Sequence, residues 1–199
     1  FKYIENNVVY KIYTSGTTGI PKCVPITSKN LNNYILWCKE TYKTIKKMIM
    51  PLYTSLSVDL TITSTFLPIL CGGTIKTYKE IFSPSIFKKI INDPEINVIK
   101  GTPTHFSFIT NNKNVNNKEI LIIGGEQLTV NMCEKLTDVL GESCKIVNEY
   151  GPTETTVGCT YYTYNKNCKN VVPIGKPIFN TKVLVYDNKI IREENKIGE

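Results

Sequence analysis

Residues that suit phosphate binding are concentrated between positions 14 and 22. The stretch consists of Thr14, Ser15, Gly16, Thr17, Thr18 and Gly19, and Lys22 lies three residues beyond its end. Glycine lets backbone N–H groups approach a phosphate closely, hydroxyl side chains add donors, and a lysine adds positive charge. The stretch predicts a phosphate-binding loop, although a plain flexible loop has a similar composition.

The best-known phosphate loop, the Walker A motif, does not fit this stretch. Counting from Gly16, Pro21 stands where the second glycine belongs, and Cys23 stands where a serine or threonine belongs. Pro21 has no backbone N–H to donate to a phosphate. A phosphate loop of another type is therefore expected.

A second segment places four useful functional groups within seven residues, on Asn148, Tyr150, Thr153 and Glu154. The Tyr150 ring offers a face for adenine, and the Asn148 amide offers a partner for its edge. The Thr153 hydroxyl can bond a phosphate oxygen, and the Glu154 carboxylate is a hard ligand suited to Mg²⁺. Taken alone, the segment could equally be a turn that caps a helix.

Together the two segments resemble the signature motifs of adenylate-forming (AMP-binding) enzymes, which include acyl-CoA synthetases, luciferases and the adenylation domains of nonribosomal peptide synthetases. Residues 13–22 and 148–156 stand in the family's order, about 130 residues apart, and 174–178 matches a further segment. The resemblance implies that residues 14–19 hold the β- and γ-phosphates of ATP and that Glu154 binds Mg²⁺. It implies catalytic roles for Lys22, Thr153 and Glu154, and adenine contacts by Gly125, Glu126, Asn148 and Tyr150. Cys23 departs from the usual glycine.

Asp59 separates the branches of that family. It begins an apolar stretch, so it could cap a helix; alternatively, it could anchor the α-ammonium group of an amino acid. The resemblance to nonribosomal peptide synthetases favours the anchor, because acyl-CoA synthetases have no ammonium group to bind, although Val58 replaces the usual aromatic residue. The substrate-pocket positions implied by the resemblance are Asp59, Leu60, Thr63, Lys100, Ile122, Gly124, Glu149, Val157 and Gly158.

Lys100 and Glu149 are opposite charges on otherwise apolar strands. Lysine is rarely buried without a partner, so both could face solvent. If both face the pocket, a carboxamide satisfies them together, whereas an aspartate would place a second carboxylate against Glu149. The pattern resembles the family's asparagine-activating pocket; aspartate-activating pockets are similar but usually have histidine at the position of Glu149.

The function implied by the resemblance is ATP-dependent activation of an amino acid, with L-asparagine expected. The aminoacyl-adenylate would be loaded onto the phosphopantetheine thiol of a neighbouring carrier domain, with condensation domains of the same synthetase as further partners. Three alternatives stay open: aspartate activation, an acyl- or aryl-CoA ligase, and a non-catalytic nucleotide-binding module. Asp59 argues against the ligase, and the presence of Lys22, Thr153 and Glu154 argues against the module.

Composition narrows the remaining classes. The chain has 199 residues and a net charge of +7, but its lysines are scattered and lack interleaved aromatic residues, so nucleic acid is not an expected partner. No apolar run is long enough for a membrane helix. Seven cysteines without a CxxC motif and a single histidine, His105, favour reduced thiols and a cytoplasmic protein over a disulfide framework or a zinc site.

Alternating strand and helix patterns predict an α/β fold with layered βαβ sheets. Strands are expected at 8–13, 48–52, 74–78, 97–100, 120–123 and 145–147. Helices are expected at 28–46 (capped by Ser28), 60–70, 84–91 (capped by Ser83), from 103, and 130–140 (capped by Thr129 and ended by Gly141). Asp187-Asn188 predicts a hairpin turn between 182–186 and 189–191. The resemblance implies that 1–178 is the central part of the adenylation core, in the large N-terminal subdomain. Residues 179–199 would begin a β-rich portion, with the C-terminal lid outside the chain and the chain alone inactive.

Overall fold

The computed structural model describes residues 6–15, 19–80, 82–109, 117–187 and 190–192. Gly16, Thr17 and Thr18 of the predicted phosphate loop lie outside the described residues. The strands are β1 Val8–Thr14, β2 Lys22–Thr27, β3 Ile49–Leu52, β4 Thr74–Thr77, β5 Val98–Gly101, β6 Ile120–Gly124, β7 Lys145–Tyr150, β8 Thr160–Thr163, β9 Lys176–Pro177, β10 Val185–Asp187 and β11 Ile190–Arg192. The helices are α1 Ser28–Thr41, α2 Leu60–Leu70, α3 Pro84–Asn92, α4 Pro103–Phe106 and α5 Val130–Leu140, with a 3-10 turn at Thr153–Thr155.

The largest sheet has five strands in the order β5-β6-β7-β8-β9. Strands β5, β6 and β7 are parallel, and β8 and β9 continue the sheet in antiparallel fashion. Lys100 is paired with Ile122, and Gly124 is paired with Glu149. The carboxyl ends of the three parallel strands therefore meet at one edge of the sheet, where ligands of α/β proteins commonly bind.

The hydrophobic core lies on both faces of this sheet, because successive strand residues point to opposite sides. One face packs against α1 and α2, and the other packs against α3 and α5. The inward strand residues of the first face are Val98, Ile120, Ile122 and Val147, and those of the second are Ile99, Leu121, Ile123 and Ile146. The predicted α/β layered fold is thus confirmed.

Three smaller sheets complete the described structure. Strands β3 and β4 are parallel, β1 and β2 form an antiparallel hairpin, and β10 and β11 form another. The antiparallel pairing of β10 with β11 agrees with the predicted hairpin, but Asp187 is paired with Ile190 rather than lying in the turn, and Asn188 lies outside the described residues. Strands β2, β8 and β9 were not predicted. Strand β2 pairs Lys22 with Thr14, so the hairpin brackets the predicted phosphate loop at its base.

Helix ends follow local capping chemistry. Ser83 and Thr129 cap α3 and α5 as predicted, by accepting from the backbone N–H groups of Ile86 and Met132, and Gly141 ends α5 at φ 87°. The prediction for α1 was wrong at both ends. Thr27, not Ser28, is the cap, and the helix ends at Thr41 rather than at residue 46.

The state of the cysteines and the length of the helices also bear on the predicted class of protein. All seven cysteines are free thiols. Across the described ranges, none of the helices combines the length and the apolarity that a bilayer crossing requires.

Candidate substrate pocket and nucleotide cleft

The predicted substrate residues converge at the carboxyl edge of the main sheet. Strands β5, β6 and β7 carry Lys100, Ile122, Gly124 and Glu149; the start of α2 carries Asp59, Leu60 and Thr63; the segment before β8 carries Val157 and Gly158. All of these residues are buried except Asp59, which is half-buried. Residues far apart in the sequence thereby share one site.

Lys100 and Glu149 form a buried ion pair. Lys100 Nζ lies 2.9 Å from Glu149 Oε1, and the two side chains are only 3% and 1% exposed. The alternative in which both face solvent is therefore wrong. The structure also adds a feature that the sequence did not predict, since the two charges neutralise each other before any ligand binds.

Tyr34 joins this pair from helix α1 and was not predicted from the sequence. Its hydroxyl donates to Glu149 Oε1 at 2.6 Å and accepts from Lys100 Nζ at 2.9 Å. The hydroxyl oxygen also lies 2.6 Å from Thr63 Oγ1. Burial, and then the nearby Cys38 and Glu149, raise the pKa of Tyr34 well above its usual value, so the hydroxyl stays protonated. Its position beside Leu31, Ile35 and Cys38 on the apolar helix face was the available signal.

The second oxygen of Glu149 is in a different situation. Oε2 is buried and has no hydrogen-bond partner among the residues that the structure describes. Gly158 lies against the same side chain, and a Cβ there would come within 2.6 Å of Glu149 Cγ. The absence of a side chain at position 158 therefore leaves the room that Glu149 occupies.

Asp59 stands at the start of α2 but does not cap it, because its side chain makes no capping hydrogen bond. Partial burial raises its pKa, while a hydrogen bond from Thr153 and the charge of Lys100 act in the opposite direction. A half-buried carboxylate that is poorly solvated gains from a cationic ligand. The geometry thus suits an anchor for an ammonium group, and Thr153 connects it to the second nucleotide motif.

The four predicted adenine residues line one cavity of about 1000 Å³. Tyr150 is 49% exposed there and presents an open ring face. The Asn148 side chain is buried, and its Nδ2 donates to the backbone carbonyls of Val172 (3.1 Å) and Pro173 (2.9 Å). The Asn148 amide, predicted to meet the adenine edge, therefore anchors the cavity wall with its NH₂ group, and its Oδ1 remains as the other polar atom. Val172 and Pro173 were not predicted.

The two predicted phosphate motifs meet in space. Lys22 Nζ lies 3.8 Å from a carboxylate oxygen of Glu154, and both side chains are exposed. Mg²⁺ in nucleotide sites is commonly held by one or two carboxylates together with phosphate oxygens, so a lone exposed carboxylate beside a lysine fits that ion. Within the described ranges, no cluster of three or more His, Cys, Asp or Glu side chains offers an all-protein metal site.

Comparison with known proteins identifies the family of this chain. The sequence profile of the family described as "AMP-binding enzyme" matches residues 4–199. The chain belongs to this family.

Relatives of known name are large synthases. Tyrocidine synthase 3 of Brevibacillus parabrevis is 40% identical over 185 residues, which cover 92% of this chain and 3% of the relative. Bacitracin synthase 3 of Bacillus licheniformis is 36% identical over 189 residues, which cover 92% of this chain and 3% of the relative. The chain thus spans only a few per cent of the length of these relatives.

Solved structures share the fold. The Vibrio cholerae adenylation domain AlmE, solved in complex with glycyl-adenosine-5'-phosphate, superposes with a TM-score of 0.86 at 21% identity and covers 95% of this chain and 36% of AlmE. A nonribosomal peptide synthetase (NRPS) protein containing adenylation and PCP domains gives 0.84 at 22% identity, covering 98% and 34%. The layered architecture is therefore that of adenylation-domain structures.

Proposed function

We propose that this chain forms the central part of an adenylation domain that activates an amino acid with ATP, for use by a nonribosomal peptide synthetase. The observation that carries the proposal is the joint placement of Asp59, the buried Lys100–Glu149 pair and Thr153 in one site. An ammonium anchor, a polar side-chain pocket and a nucleotide motif are what an amino-acid adenylating enzyme requires. Family membership and the named relatives support the same reaction class.

In the proposed reaction, a carboxylate oxygen of the amino acid attacks the α-phosphorus of ATP. The bond from that phosphorus to the bridging oxygen of the β-phosphate breaks, and pyrophosphate leaves. Catalysis here is positioning and charge neutralisation. Lys22, the Thr153 hydroxyl and the loop 14–19 would bind the phosphates, while Mg²⁺ at Glu154 would supply positive charge. Gly125, Glu126 and Tyr150 would hold the adenine within the cavity that they line.

L-Asparagine is the proposed substrate. Its α-ammonium group would meet Asp59, and its carboxamide NH₂ would donate to the unpartnered Glu149 Oε2. Its carboxamide oxygen would accept from Lys100. Aspartate would place a carboxylate against Glu149 Oε2, and like charges in a poorly solvated site are costly. Aspartate activation is therefore the weaker alternative.

The partners follow from the reaction product. An aminoacyl-adenylate must pass its acyl group to a thiol, so we assign the phosphopantetheine of a carrier domain as the acceptor and condensation domains as users of the product. The free thiols of the chain suit a reducing compartment, which favours a cytoplasmic setting.

The deciding experiment is amino-acid-dependent exchange of labelled pyrophosphate into ATP, measured on the complete adenylation domain that contains this chain. Asparagine should exceed aspartate by ~10⁴-fold in kcat/KM, because a buried polar partner is lost, and should exceed glutamine by roughly 10- to 200-fold, because one methylene differs. Fastest exchange with aspartate or with an apolar amino acid would refute the assignment.

A matched pair of variants tests the anchor. Asp59→Asn should abolish the preference for α-amino acids over the corresponding acids without an ammonium group. Asp138→Asn, at an exposed position on α5, should change nothing. Unchanged substrate choice in Asp59→Asn would favour the acyl- or aryl-CoA ligase instead.

A further inference from the structure

The hydroxyl of Tyr34 occupies the centre of the buried polar cluster. Its oxygen lies within hydrogen-bonding distance of Glu149 Oε1, Lys100 Nζ and Thr63 Oγ1, at 2.6, 2.9 and 2.6 Å. The ring packs against Trp37 with centroids 6.0 Å apart, and Lys100 Nζ lies 5.5 Å from the Tyr34 ring centroid. The hydroxyl is thereby held in place from several sides.

The buried cluster does not use every hydrogen-bonding position of Lys100 and Glu149. Glu149 Oε1 accepts from both Tyr34 and Lys100, whereas Oε2 has no partner within the described part of the chain. An ammonium group has three N–H donors, and Lys100 uses two of them, on Tyr34 and Glu149. Glu149 Oε2 and the third N–H of Lys100 are therefore left for a ligand.

We propose that Tyr34 is a positioning residue that determines side-chain specificity: it holds Glu149 through Oε1, so that Oε2 is the acceptor presented to the substrate. The inference rests on the proposed function of the same pocket and adds a residue on α1 to it. Tyr34 acts through Glu149 and Lys100, and contact with the substrate is left to those two side chains.

The Tyr34 hydroxyl is needed because Lys100 alone would not restrict its hydrogen bond to one oxygen of the Glu149 carboxylate. Without Tyr34, Lys100 can move between both Glu149 oxygens, which occupies Oε2 and leaves the substrate no fixed acceptor. With Tyr34 in place, the pocket offers a fixed acceptor and a fixed donor. A neutral side chain that carries both kinds of group, such as a carboxamide, matches them, whereas an acid does not.

The test is Tyr34→Phe in the complete adenylation domain, with Tyr42→Phe as the matched control. Both rings lie 6.0 Å from Trp37 and both hydroxyls are buried, but Tyr42 Oη has no hydrogen-bond partner among the described residues. Phenylalanine keeps the ring packing in each case. Amino-acid-dependent pyrophosphate exchange gives the KM for each amino acid and for ATP, and thermal unfolding reports stability.

Tyr34→Phe should raise the KM for the preferred amino acid by roughly 10- to 100-fold, as expected for a lost hydrogen bond to a charged group. The KM for ATP should stay unchanged, and the preference for asparagine over aspartate should narrow. Tyr42→Phe should behave as wild type. Should Tyr34→Phe prove too unstable to assay, a second variant, Thr63→Val, removes the uncharged partner of the same hydroxyl. It should give the same pattern with a smaller amplitude, because hydrogen bonds between neutral groups are weaker than those to charged groups.

The outcomes separate the two proposals. A wild-type domain that prefers another amino acid refutes asparagine, and the Tyr34 comparison is then made with that amino acid. The positioning role is overturned if Tyr34→Phe matches Tyr42→Phe in KM and selectivity. It is also overturned if the KM values for ATP and amino acid rise together, as general loss of structure would produce.

Discussion

Replacing Gly158 with alanine should disable the side-chain pocket through one contact. An added Cβ would come within 2.6 Å of Glu149 Cγ and 2.7 Å of Glu149 Cδ. Carbon atoms pack at about 3.5–4.0 Å, so the side chain must move by about 1 Å. Such a shift stretches the 2.6 Å bond from Tyr34 and the 2.9 Å bond from Lys100 to the limit of hydrogen bonding.

The expected cost is large for so small a change. A displacement of about 1 Å in a positioned group can cost on the order of 100-fold in rate. The kcat/KM for the preferred amino acid should therefore fall by about 100-fold, or about 2.7 kcal/mol at 1.36 kcal/mol per tenfold. Overpacking should also lower the free energy of unfolding by about 1–3 kcal/mol.

A double-mutant cycle isolates the contact. The three atoms nearest to the added Cβ all belong to the Glu149 side chain, so Gly158→Ala should cost little further activity or stability in a Glu149→Ala background. Gly141→Ala serves as the control, because its Cβ meets nothing within 4 Å but its φ of 87° strains the backbone; it should lower stability without changing kcat/KM. Equal costs of Gly158→Ala in both backgrounds, or wild-type kinetics, would refute the reasoning.

Two further predictions concern other parts of the chain. Burial lowers the pKa of His105, whose neutral Nδ1 accepts from the Thr102 backbone N–H at 2.9 Å. The contribution of neutral His105 to the free energy of unfolding is complete above the unfolded pKa of about 6.5. This contribution is lost as pH falls through the lowered pKa of the folded state. Urea unfolding near pH 7.5 and 5.5 should show this loss, and His105→Gln should reduce the difference. Glu154→Gln should raise the Mg²⁺ concentration required for pyrophosphate exchange by roughly 10- to 100-fold. Stability should change little, because the ion pair of Glu154 with Lys22 is exposed. An unchanged Mg²⁺ requirement would contradict the assignment of Glu154 as a metal ligand.

The presence of the helices was predictable because its signals are local. Ser83, Thr129 and Gly141 mark helix ends by chemistry that depends on a few neighbouring residues. The end of α1 was not predictable, because apolar residues at helical spacing continue beyond it. Tyr42, Ile45 and Met48 are buried although they lie outside the helix. Periodicity alone does not distinguish a helix from a loop that packs against the same core.

Strand β2 was missed for a related reason. Its six residues include Pro25, which disfavours a strand, and it begins directly after the glycine-rich loop. Among the strands that the structure describes, β2 pairs only with β1, so Pro25 lies on a strand with one described partner. A sequence pattern does not reveal which strands have a single neighbour.

The sequence predicted which positions would lie near one another, but not the contacts between their side chains. The pocket positions themselves remain a prediction from the family resemblance, and the structure places Lys100 and Glu149 within 2.9 Å of each other. Their mutual distance depends on the register between β5, β6 and β7 and on Tyr34, a residue that the helical pattern places in the core. A tyrosine on an apolar helix face is most simply explained by packing, and only the 2.6 Å bond to Glu149 reveals the second role.

Burial explains why the hydrogen bonds among Tyr34, Lys100 and Glu149 would select for a particular substrate side chain. An unpartnered buried acceptor such as Glu149 Oε2 costs about 1–3 kcal/mol, and that cost is relieved only by a ligand with a donor at the right place. The Lys100–Glu149 pair is already neutral, so a charged side chain would gain little attraction and would lose its hydration. A neutral group with both a donor and an acceptor loses less on entering and satisfies both free positions. The discrimination then depends on Oε2 staying free before the substrate arrives, which is the condition that Tyr34 and the space at Gly158 maintain.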